Sequence, residues 1–248
     1  MPIEKPYRRT CRQFTNGRYK PANYIDHPDY ASEPGYYVRS FLLLQQDLRN
    51  LFSFVEPADK NEACYSFRVQ EMLFRACVEV EANCKAILQD NGYGNHRTDM
   101  RDYRKINTTH RLSSYEVIMP HWMGGNGIRT PFKGWAAGNQ SLPWYQAYNT
   151  TKHSRHVNFS KATFKSLVDA CCGVLVLLSA QFHTEDFNPA PGNLQLEGGG
   201  PPGTKTGIGD YFSVKFPDWP TAEQYDFNWE NLKAQPSPFQ AHDYLAIP

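Results

Sequence analysis

Acidic side chains are missing from one long stretch of this chain. Between Glu116 and Asp169 there is no aspartate or glutamate, although the formal net charge of the whole chain is only +1. The basic residues of the stretch are Arg129, Lys133, Lys152, Arg155, Lys161 and Lys165, with His121, His153 and His156 among them. We predict that this segment forms a basic surface, which is the charge pattern expected of a protein that binds a polyanion.

Long apolar runs are also absent. No stretch contains the eighteen or so apolar residues that span a bilayer, and the longest run, Cys171 to Ala180, is about half that length. The basic N-terminus lacks the apolar core of a signal peptide. We therefore expect a cytoplasmic protein without a membrane segment.

Paired cysteines of the C-x-x-C type are missing too, so the six cysteines indicate neither a zinc site nor a disulfide framework. We expect them to be buried thiols. Five lie in helical patterns, namely Cys64, Cys77, Cys84, Cys171 and Cys172, and Cys11 lies near the N-terminus.

Apolar residues at helical spacing predict a mainly α fold. We expect helices over Tyr37–Glu56, Asn61–Asp90 and Asp99–Ile106, a β-hairpin at about 113–133, and a helical region from Pro143 that breaks near Asn158 and restarts under a Ser160 cap. The apolar stripes of 62–90 and 160–182 are expected to pack antiparallel in one core. This helical domain, 36–182, is followed by an extension, 183–248, with a Gly/Pro-rich loop and short strands that packs on the domain.

Residues 1–35 have turn signals and little periodicity, which predicts an irregular basic arm. Its lysines and arginines alternate with Tyr7, Phe14 and Tyr19. Such an arm can stack on single-stranded nucleic acid, or it can be a solvated leader.

The segment from Trp144 to His156 carries the strongest chemical signal. On a continuous helix its polar residues share one face, because offsets of three, four and seven residues return to the same side. These residues are Tyr145, Asn149, Lys152, His153 and His156. An ammonium group, an amide and imidazoles that exchange protons near neutral pH suit a phosphate ligand. A solvated polar face is the alternative interpretation.

Within this segment, Tyr148-Asn149-Thr150-Thr151-Lys152-His153 resembles the R-N-x-x-x-H motif of the HEPN superfamily (higher eukaryote and prokaryote nucleotide-binding domains). Asn149 and His153 match, whereas Tyr148 stands where the family has arginine. The resemblance covers about Tyr37 to Phe182 and implies a helical bundle, commonly a homodimer. Many members are metal-independent ribonucleases of toxin–antitoxin and antiviral systems.

The resemblance implies catalytic roles for His153 and Asn149, which match the motif, and RNA or nucleotide binding by the surrounding residues. We add Lys152 and Arg155 to the catalytic residues, because either of them, close on the same helix, could supply the charge of the family's arginine. We assign this binding to Tyr145, Tyr148, His156, Lys161, Arg129 and Lys133. Neither a metal nor another cofactor is expected. An antitoxin or another defence protein is a possible partner. The alternative is a catalytically inert HEPN-like module that binds RNA, a nucleotide or a protein.

Three weaker patterns lead to other interpretations. Arg104 and His110 have a spacing that the HEPN motif allows, but they lie at an expected helix end. Gly200–Thr206 resembles a phosphate-binding loop, but Thr204 stands where that loop needs glycine before its lysine. His153 and His156 could share a metal, although the neighbouring cations oppose one.

Overall fold

The computed structural model describes residues 1–19, 24–94, 97–136, 140–187 and 201–248, and helices dominate these residues, as the sequence predicts. The helices are α1 (Pro34–Phe52), α2 (Phe67–Asp90), α3 (Met100–His110), α4 (Pro143–His153), α5 (Arg155–Asn158), α6 (Phe164–Phe182) and α7 (Trp229–Leu232). The strands are β1 (Glu116–Ile118), β2 (Ile128–Arg129), β3 (Lys205–Thr206) and β4 (Ser213–Lys215). Most of the predicted Gly/Pro-rich loop, at 188–200, lies outside the described residues.

Helices α2 and α6 form the centre of the core, but they run parallel rather than antiparallel as predicted. At their N-terminal ends, the amide of Phe164 donates to the carbonyl of Cys64 at 2.7 Å. Near their C-terminal ends, Gln181 Nε2 donates to Asn83 Oδ1 at 3.1 Å. The prediction failed because the long connection between the helices carries the chain back to the start of α2 before α6 begins.

Helices α1 and α4 flank this pair and run antiparallel to α2. Asp47, late in α1, pairs with Arg75 of α2 at 2.5 Å, whereas Ser32, just before α1, donates its amide to Asp90 at the end of α2. In α4, Tyr145 contacts Glu81, and Arg155, just beyond α4, lies over Phe67 at the start of α2. Helices α1, α2, α4 and α6 therefore alternate in direction along the chain, as in an up-down bundle.

Helix α2 begins later than predicted because Ser66 caps it. Ser66 has an extended backbone, and its hydroxyl accepts from the amide of Val69 at 3.2 Å. Cys64 and Tyr65 consequently lie before the helix. Cys64 is exposed, so the prediction of a buried helical thiol is wrong there, whereas the five other cysteines are buried.

Helix α6 begins under a Thr163 cap, not the predicted Ser160 cap. It is long and apolar enough to cross a membrane, but 83% of its most apolar 18-residue stretch is buried inside the protein. Such burial is typical of the central helix of a soluble protein.

The predicted hairpin forms between β1 and β2, with Val117 opposite Arg129. The C-terminal extension enlarges it, because β4 pairs antiparallel with β1 and β3 pairs with β4. The result is an antiparallel sheet in the order β2-β1-β4-β3. Val117 and Val214 turn their side chains into the core, so the sheet closes one side of the helices.

The N-terminal segment is irregular, but it lies inside the molecule and is neither a solvated leader nor a free arm. Its Cys11 amide donates to the carbonyl of Ala180 at 2.9 Å. Arg9 is fully buried, pairs with Asp90 and donates to Gln181 Oε1 at 2.9 Å. Arg12 is buried over the ring of Trp219 at 4.4 Å. Arg9 and Arg12 therefore cannot contact nucleic acid.

His110, the second candidate histidine, is a buried core residue. Its Nε2 atom lies 2.8 Å from the carbonyl oxygen of Arg9, and Thr10 Oγ1 lies 3.0 Å from Nε2 of His242 in the C-terminal tail. The Tyr7 ring stacks on His242 with centroids 3.8 Å apart. This histidine pair joins the N-terminal segment, α3 and the tail.

Candidate functional site

The Trp144–His156 segment folds as two helices rather than one. Helix α4 ends at His153 because Ser154 leaves the helical conformation, with φ −141° and ψ 59°. Tyr145, Asn149, Lys152 and His153 precede this break and line one pocket, as the spacing predicts. His156 follows the break and lies elsewhere, so the prediction of a single face is wrong for His156.

This pocket, which we call the α4 pocket, has a volume of about 760 Å³. One wall is α4, the second is α2, and the third is the segment that leads into α3. Besides the four α4 residues, its charged lining residues are Glu81, Lys85, Arg97, Asp99 and Arg101. Four permanent cations and His153 therefore share the pocket with two carboxylates.

Both carboxylates already have partners. Glu81 Oε1 accepts from the Tyr145 hydroxyl at 2.9 Å, and the other Glu81 oxygen lies 3.9 Å from Lys85 Nζ. Burial and the Glu81 contact raise the pKa of Tyr145, so Tyr145 remains a donor. Asp99 caps α3 and pairs with Arg101 at 2.8 Å. The hydrogen bonds from Arg101 hold the pKa of Asp99 below its ordinary value, so it remains ionised.

Lys152 is exposed, and Tyr148 positions it. Lys152 Nζ donates to the Tyr148 hydroxyl at 3.0 Å, and this bond raises the pKa of Lys152. Tyr148 itself is buried against the edge of Phe74 and does not line the pocket. Tyr148 therefore contacts the pocket through its hydrogen bond with Lys152, and its binding role stays a prediction.

The other predicted residues lie outside the α4 pocket. Arg155 and His156 line a separate depression with Phe67 and Phe159. Lys133 and Lys161 are exposed at 3₁₀ turns and line neither cavity.

Arg129 contradicts its predicted role most clearly. Only 3% of it is exposed, and its Nη1 atom lies 2.9 Å from Glu62 and 3.3 Å from Asp169. The acid-free stretch of sequence is therefore not acid-free in space, because carboxylates outside it neutralise Arg129.

The sequence analysis missed Lys85, Arg97 and Arg101, which supply most of the positive charge of the pocket. They lie at least fifty residues before His153, and only the tertiary fold brings them to α4. The one local signal was the Asp99 and Asp102 capping box, which fixes where α3 begins and so places Arg101 in its first turn.

The described parts of the chain contain no evident metal site. There, no three His, Cys, Asp or Glu side chains lie close enough together to hold an ion. His153 and His156, the pair considered from the sequence, line different cavities.

Comparison with known proteins adds no relative. No family model, curated protein or solved structure matches this chain. The resemblance to the HEPN superfamily therefore depends on the residues from Tyr148 to His153 alone.

Proposed function

We propose that this chain is a HEPN-like protein that acts on RNA, with the phosphodiester backbone held in the α4 pocket. The observation that carries the proposal is the convergence of four cations and His153 on one open pocket that holds only two carboxylates, so that an excess of two positive charges remains after the Lys85–Glu81 and Arg101–Asp99 pairs are counted. A pocket of about 760 Å³ accommodates a nucleotide-sized group. RNA supplies the repeated negative charge that such a pocket attracts.

Binding is tested with a labelled single-stranded RNA in a series of salt concentrations. Each phosphate contact contributes about 0.7 to the slope of log affinity against log salt. The Lys85→Gln, Arg101→Gln double variant therefore lowers the slope by about 1.4. Lys215→Gln is the matched control, because Lys215 is an exposed cation on β4 outside the pocket. An unchanged slope in the double variant would place the RNA elsewhere.

The proposed reaction is metal-independent cleavage of the RNA strand. His153 takes the proton of a ribose 2′-hydroxyl, the 2′-oxygen bonds to phosphorus, and the bond from phosphorus to the 5′-oxygen breaks. The leaving oxygen takes a proton from water, so the products are a 2′,3′-cyclic phosphate and a 5′-hydroxyl. Lys152 and Arg101 stabilise the charged intermediate, and Asn149 orients the phosphate.

His153→Ala tests this chemistry, and His156→Ala is the matched control, because both histidines are exposed but only His153 lines the pocket. We expect cleavage to persist in EDTA and in His156→Ala, and to disappear in His153→Ala. Cyclic-phosphate ends identify the products. Equal cleavage by both variants would contradict the role of His153.

The second candidate is a catalytically inert HEPN-like module that binds RNA, a nucleotide or a protein. It is favoured by Tyr148, which is buried where the family has its arginine. That position cannot present a guanidinium to the pocket, and a missing donor of this kind costs about 10²–10³ in rate. Binding without cleavage at high protein concentration would support this candidate.

The HEPN resemblance supplies most of the cellular context of the proposal, namely a homodimer and a toxin or antiviral system in which an antitoxin or another defence protein is the partner. We also propose a cytoplasmic location. Sedimentation of the purified chain tests the homodimer. Growth arrest on expression, relieved in His153→Ala, would support a toxin role, and unimpaired growth would oppose it.

A further inference from the structure

Lys152 also lines a second depression, which we call the Phe67 groove. Its volume is about 440 Å³. The lining residues that matter here are Phe67, Gln70, Glu71, Phe74, Lys152 and Arg155. Because Lys152 lines both cavities, the Phe67 groove adjoins the α4 pocket at this side chain.

Of the two aromatic side chains of the groove, Phe67 is exposed and Phe74 is half-buried. Phe67, the first residue of α2, is 66% exposed; the Arg155 guanidinium lies 5.0 Å from the centre of its ring, and the Phe159 ring packs beside it with centroids 4.6 Å apart. Phe74 lies two turns further along the same helix face, against Tyr148. Flat aromatic and guanidinium groups at the surface are the partners on which unpaired bases stack.

Gln70 supplies a hydrogen-bonding group between the two phenylalanines. Only 4% of Gln70 is exposed, and its Nε2 atom has no hydrogen-bond partner among the described residues. This atom has essentially no accessible surface, so a ligand meets it only when the Gln70 side chain turns toward the groove. A buried donor left unpaired is unfavourable, so an acceptor on the ligand favours that turn. The one carboxylate of the groove, on Glu71, is paired with Arg68 at 3.0 Å and does not repel an anion strongly.

We propose that the Phe67 groove is a nucleobase subsite for single-stranded RNA. The base stacks on Phe67 and Arg155 and presents an acceptor on its edge to Gln70, while the adjoining phosphate contacts Lys152. This inference rests on the proposed function, because it assumes that RNA follows the α4 pocket. It adds the recognition of an unpaired base beside the cleaved or bound phosphate.

The test compares two labelled strands of equal length, a single-stranded RNA and an abasic ribose–phosphate strand. Phe67→Ala is the main variant, and Phe54→Ala is its control, because Phe54 is an 87% exposed phenylalanine outside the groove. We expect Phe67→Ala to weaken RNA binding by about 5- to 100-fold, as the loss of one stacked base does. Its affinity for the abasic strand should match that of the wild type.

Gln70→Leu separates recognition from folding. Leucine removes the buried amide at similar volume, so the variant should unfold at the same or a higher urea concentration. Its RNA affinity should nevertheless fall several-fold while its abasic-strand affinity does not change. An RNA affinity equal to that of the wild type would exclude the contact with Gln70.

The outcomes distinguish the subsite from the proposed function. If the wild type binds neither strand, both proposals are wrong. If it binds the two strands equally, or if Phe67→Ala binds RNA as Phe54→Ala does, only the nucleobase subsite is wrong. A dimer that dissociates in Phe67→Ala at unchanged RNA affinity would assign the groove to a contact between copies and overturn the inference.

Discussion

Three buried histidines should make this fold sensitive to mild acid. Burial lowers the pKa of His110 to about 3, that of His183 to about 3 and that of His242 to about 2. The Arg12 guanidinium acts in the same direction on His110 and His242. All three imidazoles are therefore neutral in the folded protein at any pH above about 4.

The direction in which pH changes the unfolding free energy follows from where the folded and the unfolded chain take up protons. A histidine of the unfolded chain takes up a proton near pH 6.5, but the folded chain does so only near pH 3 or below. The stability that the neutral histidines allow is therefore fully present above pH 6.5. It is lost as the pH falls from 6.5 towards the folded-state pKa values near 3 or below. Between pH 7 and pH 5 each histidine costs about 2 kcal/mol of unfolding free energy, or about 6 kcal/mol for all three.

A loss of this size is comparable with the whole stability of an ordinary domain. Three carboxyl groups act in the opposite direction, because burial raises the pKa values of Asp26, Asp169 and Glu185, and the folded state then gains protons first. Their compensation falls above their ordinary pKa values of 3.8 to 4.5, between these and the raised values of the folded state. A histidine is therefore isolated by comparing the wild type with a histidine variant, because the carboxyl groups are the same in both.

Urea unfolding followed by tryptophan fluorescence at pH 7, 6 and 5 measures the effect. His242→Phe keeps the ring that stacks on Tyr7 but removes one titrating group. We expect it to be less stable than the wild type at pH 7 and to lose about 2 kcal/mol less between pH 7 and pH 5. If the unfolding free energy of the wild type is the same at pH 7 and pH 5, the argument is wrong.

Four substitutions test the packing by the same urea assay. Leu73→Ala and Leu175→Ala remove fully buried side chains from α2 and α6 and should each cost about 2–5 kcal/mol, so a loss below 1 kcal/mol would contradict the core. Gly124→Ala should also destabilise, because Gly124 has φ 127° and an added Cβ would overlap the Asp59 carboxylate; unchanged stability would mean that this loop moves freely. Tyr148→Arg should unfold the protein at a lower urea concentration and should not raise RNA cleavage, because position 148 is 3% exposed; a stable, faster enzyme would refute this.

The helices could be predicted because their burial pattern is local. In α2, the residues Val69, Met72, Leu73, Ala76 and Val80 repeat at three and four, and all are buried. The direction in which α2 and α6 pack could not be predicted, because both stripes fit either orientation. It depends on the path of the 73 residues between them, 91–163, which contains short helices, turns and a hairpin without a strong periodic signal.

The site could be predicted only as far as one helix extends. Tyr145, Asn149, Lys152 and His153 share a face because they lie on α4. His156 does not, because a single backbone change at Ser154 redirects the chain, and the helical spacing rule assumes an unbroken helix.

The distribution of charge along the sequence was the least reliable guide to the position of the basic surface, because several arginines of this protein are core residues. Arg9, Arg12 and Arg129 are at most 5% exposed, and each is held by carbonyl or carboxylate oxygens and an aromatic ring. A guanidinium can occupy such sites because its planar face stacks while its edge donates. The cations that remain at the surface around His153 come from three separate parts of the chain, namely Lys85 of α2, Arg97 and Arg101 before and in the first turn of α3, and Lys152 of α4. Helices α2 and α4 pack side by side, with Glu81 of α2 against Tyr145 of α4. This cluster of cations is therefore a product of the helix packing, and it would be lost if α4 were displaced even though every charge stayed in the sequence.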